Sequence, residues 1–251
     1  MLTCPPAPPA HRTRATTHGL GDAKVAPTAA LLADPARVAM LWALSDGRAL
    51  PAGELARVAR VGAPAASAHL ARLTAGGFLE AERNGRHRYY RLANPAVVTA
   101  LEALAAVAPP VPAASPKEAH VASGVRFART CYDHLAGVLG VQITEALVAD
   151  RALVLDGRAY AVTDDGVARL SGIGVDVAAV AEAASRTRRP ITRACLDWSE
   201  RRYHLAGALG AALAERLLDA GWVERTHASR ALRVTNAGRR ALRREFRLEL
   251  L

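Results

Sequence analysis

The chain has 251 residues, 51% of them hydrophobic and 4% aromatic, with a formal net charge of +10. No apolar run reaches the length of about eighteen residues that a membrane-crossing helix needs, and three cysteines, an odd number, argue against a secreted disulfide framework. The excess charge is spread along the chain, with 12 Lys+Arg against 7 Asp+Glu in residues 1–110 and the remaining +5 beyond, so it suits a polyanionic partner without locating the contact. Residues 1–27 are rich in Pro, Ala, Thr and His and read as a flexible arm holding Cys4; they lack the apolar stretch of a signal peptide, and the expected compartment is the cytoplasm.

Residues 28–108 read as a compact helical unit with one hairpin. Asp34-Pro35 open a helix, a capping side chain followed by a proline that is harmless at the first helical position. Val38, Leu41, Trp42 and Leu44 recur at helical spacing until Asp46-Gly47 ends the run. A second helix over Ala52 to Val58 turns Leu55 and Val58 inward and ends at Val61-Gly62. A third starts near Pro64 and stops at Gly76-Gly77, with Ala66, Leu70 and Leu73 on its inner stripe. Its outer face carries Ala65, Ser67, Ala68, His69 and Arg72, small or polar groups suited to a major groove about 12 Å wide. Phe78 to Glu82 and Arg88 to Leu92 predict two strands around Asn84-Gly85. Arg83, Arg86, His87, Arg88 and Arg91 crowd this hairpin, where they can neutralise backbone phosphates while the helix reads base edges. Asn94 then caps a helix of Val97, Val98, Leu101, Leu104 and Val107. Helix, turn, recognition helix and basic hairpin in this order make a winged helix-turn-helix, and the expected partner is a double-stranded DNA operator.

These residues resemble the ArsR/SmtB family of bacterial repressors. The resemblance rests on Asp34-Pro35-Ala36-Arg37, Glu54-Leu55-Ala56, Ser67-Ala68-His69-Leu70-Ala71-Arg72-Leu73, Gly77-Phe78-Leu79, and the Arg83-Asn84-Gly85-Arg86 wing ending in Tyr89-Tyr90-Arg91-Leu92. It implies a homodimer held by the outermost helices of the module, seated on a palindromic operator and released by an inducer. The family's metal sensors commonly carry a Cys-Val-Cys pair before the recognition helix or His and Asp ligands on the last helix. Glu54 to Ala59 contains no sulfur and Val97 to Val107 no such ligand, so a sensor would lie elsewhere.

Pro109-Pro110-Val111-Pro112 through Ser115-Pro116 marks a stiff linker, residues 109–117, ahead of a second domain over 118–251. That domain repeats itself. Arg129-Thr130-Cys131-Tyr132-Asp133 matches Arg193-Ala194-Cys195-Leu196-Asp197, and His134-Leu135-Ala136-Gly137 matches His204-Leu205-Ala206-Gly207 after an insertion from Trp198 to Tyr203. Val162-Thr163-Asp164-Asp165-Gly166 matches Val234-Thr235-Asn236-Ala237-Gly238. Each repeat reads as a helix carrying Cys and His, a Leu/Ala helix, a hairpin and a closing helix. The expected fold class is therefore mostly α with small β-hairpin wings, an N-terminal winged helix-turn-helix followed by two degenerate winged-helix-like repeats.

Cys131 and His134, three apart, would share a helix face, and pseudo-symmetry would bring Cys195 and His204 alongside, a donor set for zinc or another thiophilic metal ion. A thiol pair that oxidises, or plain core packing, are the other readings of these residues. Tyr132, Trp198, Glu200, Arg201 and Tyr203 are candidates to line a pocket for a small organic effector. No phosphate loop, serine elbow or suitably spaced carboxylate pair is present, so the expected protein is not an enzyme. The function expected is that of a homodimeric DNA-binding repressor whose C-terminal domain answers to a metal or small-molecule effector, the alternative being a C-terminal module for dimerisation or protein interaction with no ligand.

Overall fold

The computed structural model describes residues 25–85, 87–109, 112, 115–226 and 229–250. The predicted arm therefore lies outside the described residues up to position 24, but its last residues are ordered as a helix: α1 spans Val25–Ala30. The winged module continues with α2 (Pro35–Ala43), β1 (Leu50–Pro51), α3 (Ala52–Ala59), α4 (Ala63–Ala75), β2 (Leu79–Asn84), β3 (His87–Leu92) and α5 (Ala96–Val107). Asp34 caps α2 by accepting from the backbone N–H of Arg37 at 3.0 Å. The Arg37 side chain turns back and donates to the carbonyls of Leu31 and Ala30 at the end of α1.

Met40, Leu41, Leu44, Leu55, Ala66, Leu70, Leu73, Phe78 and Leu79 form the core of this module, as the helical spacing requires. Val58 differs from expectation and is 41% exposed, because Leu55, at the centre of a helix of 8 residues, sets the buried face and Val58 falls off it. The hairpin ladder also runs further than expected, taking in Arg83 and Asn84 on one strand and His87 on the other. Asn84 pairs with His87, so the turn begins at Gly85, whose φ of 60° is open to glycine. The strand β1, too short to leave a pattern in the sequence, pairs Leu50 with Tyr90 and completes a three-stranded sheet in the order β1-β3-β2.

The linker is shorter than its prolines suggest. Ser115 accepts from the Glu118 N–H as the N-cap of α6 (Pro116–Phe127), and Pro116 sits in its first turn. Beyond it, two series of elements repeat the same order. The first is α6, β4 (Arg129–Cys131), β5 (His134–Ala136), α7 (Gly137–Ala149), β6 (Leu153–Asp156), β7 (Ala159–Val162) and α8 (Asp164–Gly172). The second is α9 (Val177–Thr187), β8 (Arg193–Leu196), β9 (Tyr203–Ala206), α10 (Gly207–Asp219), β10 (Val223–Arg225), β11 (Leu232–Val234) and α11 (Asn236–Phe246). The Cys-His segments are thus hairpins, not helices. Cys131 and His134 are direct cross-strand partners, as are Cys195 and His204. Both strands of the first hairpin are buried along their whole length, so no alternation of apolar and polar residues marks them as strands.

The two series interlock. β4 lies beside β11, with Thr130 N–H donating to the Arg230 carbonyl and Leu232 N–H to the Ala128 carbonyl. In the same way β8 lies beside the β6–β7 hairpin of the first series, where the Ala194 N–H donates to the Arg158 carbonyl and Thr192 Oγ1 bonds both the N–H and the carbonyl of Tyr160. A single apolar core formed by Leu139, Ile143, Leu147, Leu153, Leu170, Leu209, Leu213, Leu217, Val223 and Leu242 runs through both. Gly137 and Gly207 start α7 and α10 at φ of 78° and 86°. A Cβ there would lie 2.5 Å from the Arg126 carbonyl oxygen and 2.7 Å from that of Ile191, which accounts for the matched glycines. Among the described residues no helix is long and apolar enough to cross a membrane.

Candidate DNA-binding face and buried cysteine-histidine cluster

Helix α4 is amphipathic, and its buried Ala66, Leu70 and Leu73 fix which face is left outside. Ala65, Ser67, Ala68 and Arg72 are exposed there together. His69 is held apart from them: it is half-buried, with Nδ1 3.8 Å from the Asp34 carboxylate at the cap of α2. On the wing, Arg83 and Arg88 are exposed cross-strand partners, and the Arg88 guanidinium lies 5.5 Å from the Tyr90 ring centre. Arg91 is committed to Glu80, to which it donates from Nε at 3.0 Å and from a terminal nitrogen at 2.8 Å; that pair holds the Arg91 pKa above its ordinary value. Arg86 and the side chain of His87 lie outside the described residues.

The five residues expected to line an effector pocket do not converge. Tyr132 lines a hollow of about 270 Å³ together with Val98, Asp133, Arg189 and Arg193, and Tyr203 borders a second of about 190 Å³ with Glu102, Arg158 and Leu196. Trp198, Glu200 and Arg201 line neither. They form the longer turn between β8 and β9, folded about Asp197, which accepts from the backbone N–H groups of Ser199 and Glu200. Trp198 packs its ring 5.1 Å from the Arg129 guanidinium.

The Cys-His residues do converge. One ligand atom each from Cys131, His134, Cys195 and His204 lie within 4.8 Å of one another, and all four residues are buried. The insertion is absorbed in the turn up to Arg202, with Tyr203 already paired with Leu196 in the ladder, so a Cys-x2-His and a Cys-x8-His spacing give the same cross-strand pair. The two imidazoles stack with centroids 5.1 Å apart. Their outer nitrogens face carboxylates: His134 Nδ1 is 3.3 Å from Asp133 and His204 Nδ1 is 3.5 Å from Asp197. Neither Nε2 has a hydrogen-bond partner, nor has His204 Nδ1. Both cysteines are free thiols. Cys195 is held well below the ordinary thiol range, first by the adjoining Cys131 and then by the two imidazoles, against the effect of burial. Cys131 is correspondingly pushed up by Cys195 and by burial. Burial opposes the charged form of His134, but Asp133 and Cys195 outweigh it and raise its pKa.

The cluster sits against the winged module. Cys131 and Cys195 pack into the same apolar core as Met40, Leu44, Val98 and Leu101. Tyr132, at a left-handed φ of 61° in the first hairpin turn, donates its N–H to the Ser45 carbonyl at 2.7 Å. Asp197, wholly buried, accepts from Arg129 at 2.9 Å and from the Gly137 N–H at 2.7 Å. Burial alone would raise its pKa, but the Arg129 guanidinium and the Gly137 N–H hold it well below the carboxylate range. Arg129 also reaches Glu102 of α5 at 3.4 Å. Glu102 accepts from Arg230 at 2.8 Å, and the Arg230 guanidinium in turn covers the Trp42 ring at 4.2 Å. Sequence reasoning meets Arg129 only as the first residue of the repeated motif and does not single out Glu102 or Arg230.

A family model described as a helix-turn-helix domain matches residues 32–82. The chain is 40% identical over 226 residues to the uncharacterized HTH-type transcriptional regulator YdfF of Bacillus subtilis, covering 90% of this chain and 98% of that one. It is 41% identical over 64 residues to the HTH-type transcriptional regulator KmtR of Mycobacterium tuberculosis, covering 26% of this chain and 48% of that one. Among solved structures, the homodimeric winged helix-turn-helix DNA-binding domain of a Mycobacterium bovis protein shares 30% identity, covers 32% of this chain and 73% of its own, and superposes with a TM-score of 0.30. The likeness to YdfF takes in both the winged module and the C-terminal domain, and on that ground the chain belongs to the HTH-type transcriptional regulators.

Proposed function

We propose that the protein is a sequence-specific repressor that binds its operator as a homodimer and is released by a ligand at a C-terminal domain built from two duplicated winged-helix-like halves. The observation that carries the DNA reading is the joint exposure of Ser67, Ala68 and Arg72 on α4 and of Arg83 and Arg88 on the wing beside it. The helix face supplies short polar groups for base edges and the wing supplies charge for phosphates. The dimer reading is supported by α5, whose inner face is buried by Val97, Val98, Leu101 and Glu102 while Leu104 is 51% and Val107 82% exposed one turn apart. A second copy of the helix is what such a stripe fits. The repeated element order, with its matched glycines, supports the duplication.

The test uses a duplex enriched from a randomised pool by the full-length protein. Replacing Arg83 and Arg88 together by Ala weakens binding to the selected duplex and to random sequence alike, and flattens the salt dependence by about 0.9 in log–log slope for each phosphate that is no longer neutralised. Ser67→Ala and Arg72→Ala instead change which sequences are enriched. Wild-type affinity and slope in the double variant would overturn the wing's role. Leu104→Glu with Val107→Glu gives a monomer by sedimentation and lowers affinity for the selected duplex; a persisting dimer would place the interface elsewhere.

A further inference from the structure

We infer that Cys131, His134, Cys195 and His204 form a closed tetrahedral site for a thiophilic divalent cation of the zinc class, and that filling it pulls on the winged module. The second half of this statement rests on the repressor reading above; the first does not.

The donor set is two sulfurs and two imidazole nitrogens, all buried and within 4.8 Å of one another. Bonds of about 2.3 Å to sulfur and 2.0–2.1 Å to nitrogen place tetrahedral ligands about 3.3–3.8 Å apart. The atoms are therefore near their ligating positions and need only a small inward shift. The two Nε2 atoms, buried without a hydrogen-bond partner, are what a bare imidazole pair would not leave in an apolar core, since an unmade hydrogen bond there is costly. His134 Nδ1 is hydrogen-bonded to Asp133 at 3.3 Å, the arrangement that fixes the tautomer and leaves Nε2 to a metal, while His204 Nδ1 lies 3.5 Å from Asp197 without a hydrogen bond. Two thiolates neutralise a divalent charge, and binding releases to solvent whatever protons the two thiols and the two ligating imidazole nitrogens carried. The hollow lined by Cys131, Asp133 and His134 gives the ion a way in. Soft sulfur donors without a ligating carboxylate exclude magnesium and calcium.

The four ligands come from two hairpins, one in each half of the domain, so a bound ion draws β4–β5 and β8–β9 together. Both hairpins are fastened to the winged module. Tyr132, next to Cys131, holds the turn after α2 through Ser45. Asp197, behind His204, holds Arg129, which reaches Glu102 on α5. An inward shift of the hairpins is thereby passed to α2 and to α5, the helix whose outer face is proposed to pair the two copies.

Cobalt(II) titrated into the reduced, metal-stripped full-length protein is the direct test. One equivalent per chain, with the intense visible bands of tetrahedral cobalt and a thiolate charge-transfer band, supports the site, as does loss of those bands in Cys131→Ser and in Cys195→Ser. Zinc should shield two of the three thiols from alkylation, and Cys4→Ser should leave cobalt binding unchanged. Asp133→Asn, whose carboxylate is partly exposed, acts as a positioning variant. It keeps the spectrum but lowers affinity by roughly 10-fold or more, which a merely structural role would not produce. The wild-type measurement stands even where a cysteine variant fails to fold. No tetrahedral cobalt spectrum, or a Cys131–Cys195 disulfide that forms in air while zinc shields neither thiol, overturns the site. A cobalt-loaded protein that binds the selected duplex as tightly as the metal-free form overturns the transmission to DNA and leaves a fold-stabilising metal.

Discussion

His69 lies half-buried where its position on a helix suggests full exposure. The outer face of α4 offers His69 to solvent by spacing alone, yet its ring lies half-buried beside the cap of α2, with Nδ1 3.8 Å from the Asp34 carboxylate and without a hydrogen bond. Asp34 makes its hydrogen bond at the helix cap instead, accepting from the Arg37 N–H. That bond, and then the neighbouring charges, outweigh desolvation and keep its carboxyl below the ordinary aspartate value. Asp34→Ala is expected to cost about 1 kcal/mol of stability in urea unfolding at neutral pH. A carboxyl with a lowered folded-state pKa contributes stability that is present above its unfolded pKa and lost as pH falls through the folded value. The difference between wild type and Asp34→Ala should therefore narrow in acid, and a difference that stays constant down to low pH would remove the cap from the account.

Hairpins and the helices that come after them are joined in this protein by close backbone approach. Gly166 in α8 and Gly238 in α11 occupy matched places, and a Cβ would stand 2.1 Å from the Ala152 carbonyl oxygen and 1.9 Å from that of Trp222. In each case the preceding threonine, Thr163 or Thr235, caps the helix by accepting from the glycine N–H at 2.9 Å. The Val-Thr-x-x-Gly pattern is therefore a cap followed by an approach that only glycine permits. Gly238→Ala is expected to destabilise by roughly 1–3 kcal/mol through overpacking, read as a lower urea midpoint with unchanged slope. Wild-type stability in this variant would mean that the helix can slide off the strand without loss.

The two halves of the molecule share a buried charge set of Arg129, Glu102, Arg230 and Asp197, with both Arg129 and Asp197 wholly inaccessible. Glu102 answers two guanidinium groups, so Glu102→Gln leaves buried positive charge uncompensated and is expected to cost about 3–5 kcal/mol. Thermal unfolding should then separate into two transitions, one for the winged module and one for the interlocked C-terminal core, because the charge set joins them. A single transition at the wild-type temperature would show that the apolar seam alone holds the halves together. In wild type, zinc at about a hundredfold excess over its dissociation constant should add about 2.7 kcal/mol of stability, and the chelator that removes it should reverse the gain.

The winged module is legible in the sequence because its elements announce themselves locally. Asp34-Pro35 caps a helix, Leu70 and Leu73 stripe another, and alternation marks the wing, each decided by residues within a few positions of one another. The matched motifs of the second half are legible for the same reason, and with them the correspondence of Cys131 to Cys195 and of His134 to His204. Their conformation is not. Strands buried on both faces carry no period-two pattern, and the short spacing of Cys131 and His134 suits a helix as well as a two-residue turn. Only the tertiary structure decides that the two hairpins meet, that Asp133 and Asp197 back the histidines, and that Arg129 ties this cluster to Glu102 across 27 positions of chain. Local propensity reads neighbours along the chain, whereas a buried charge or ligand is paid for by partners that only folding brings within reach.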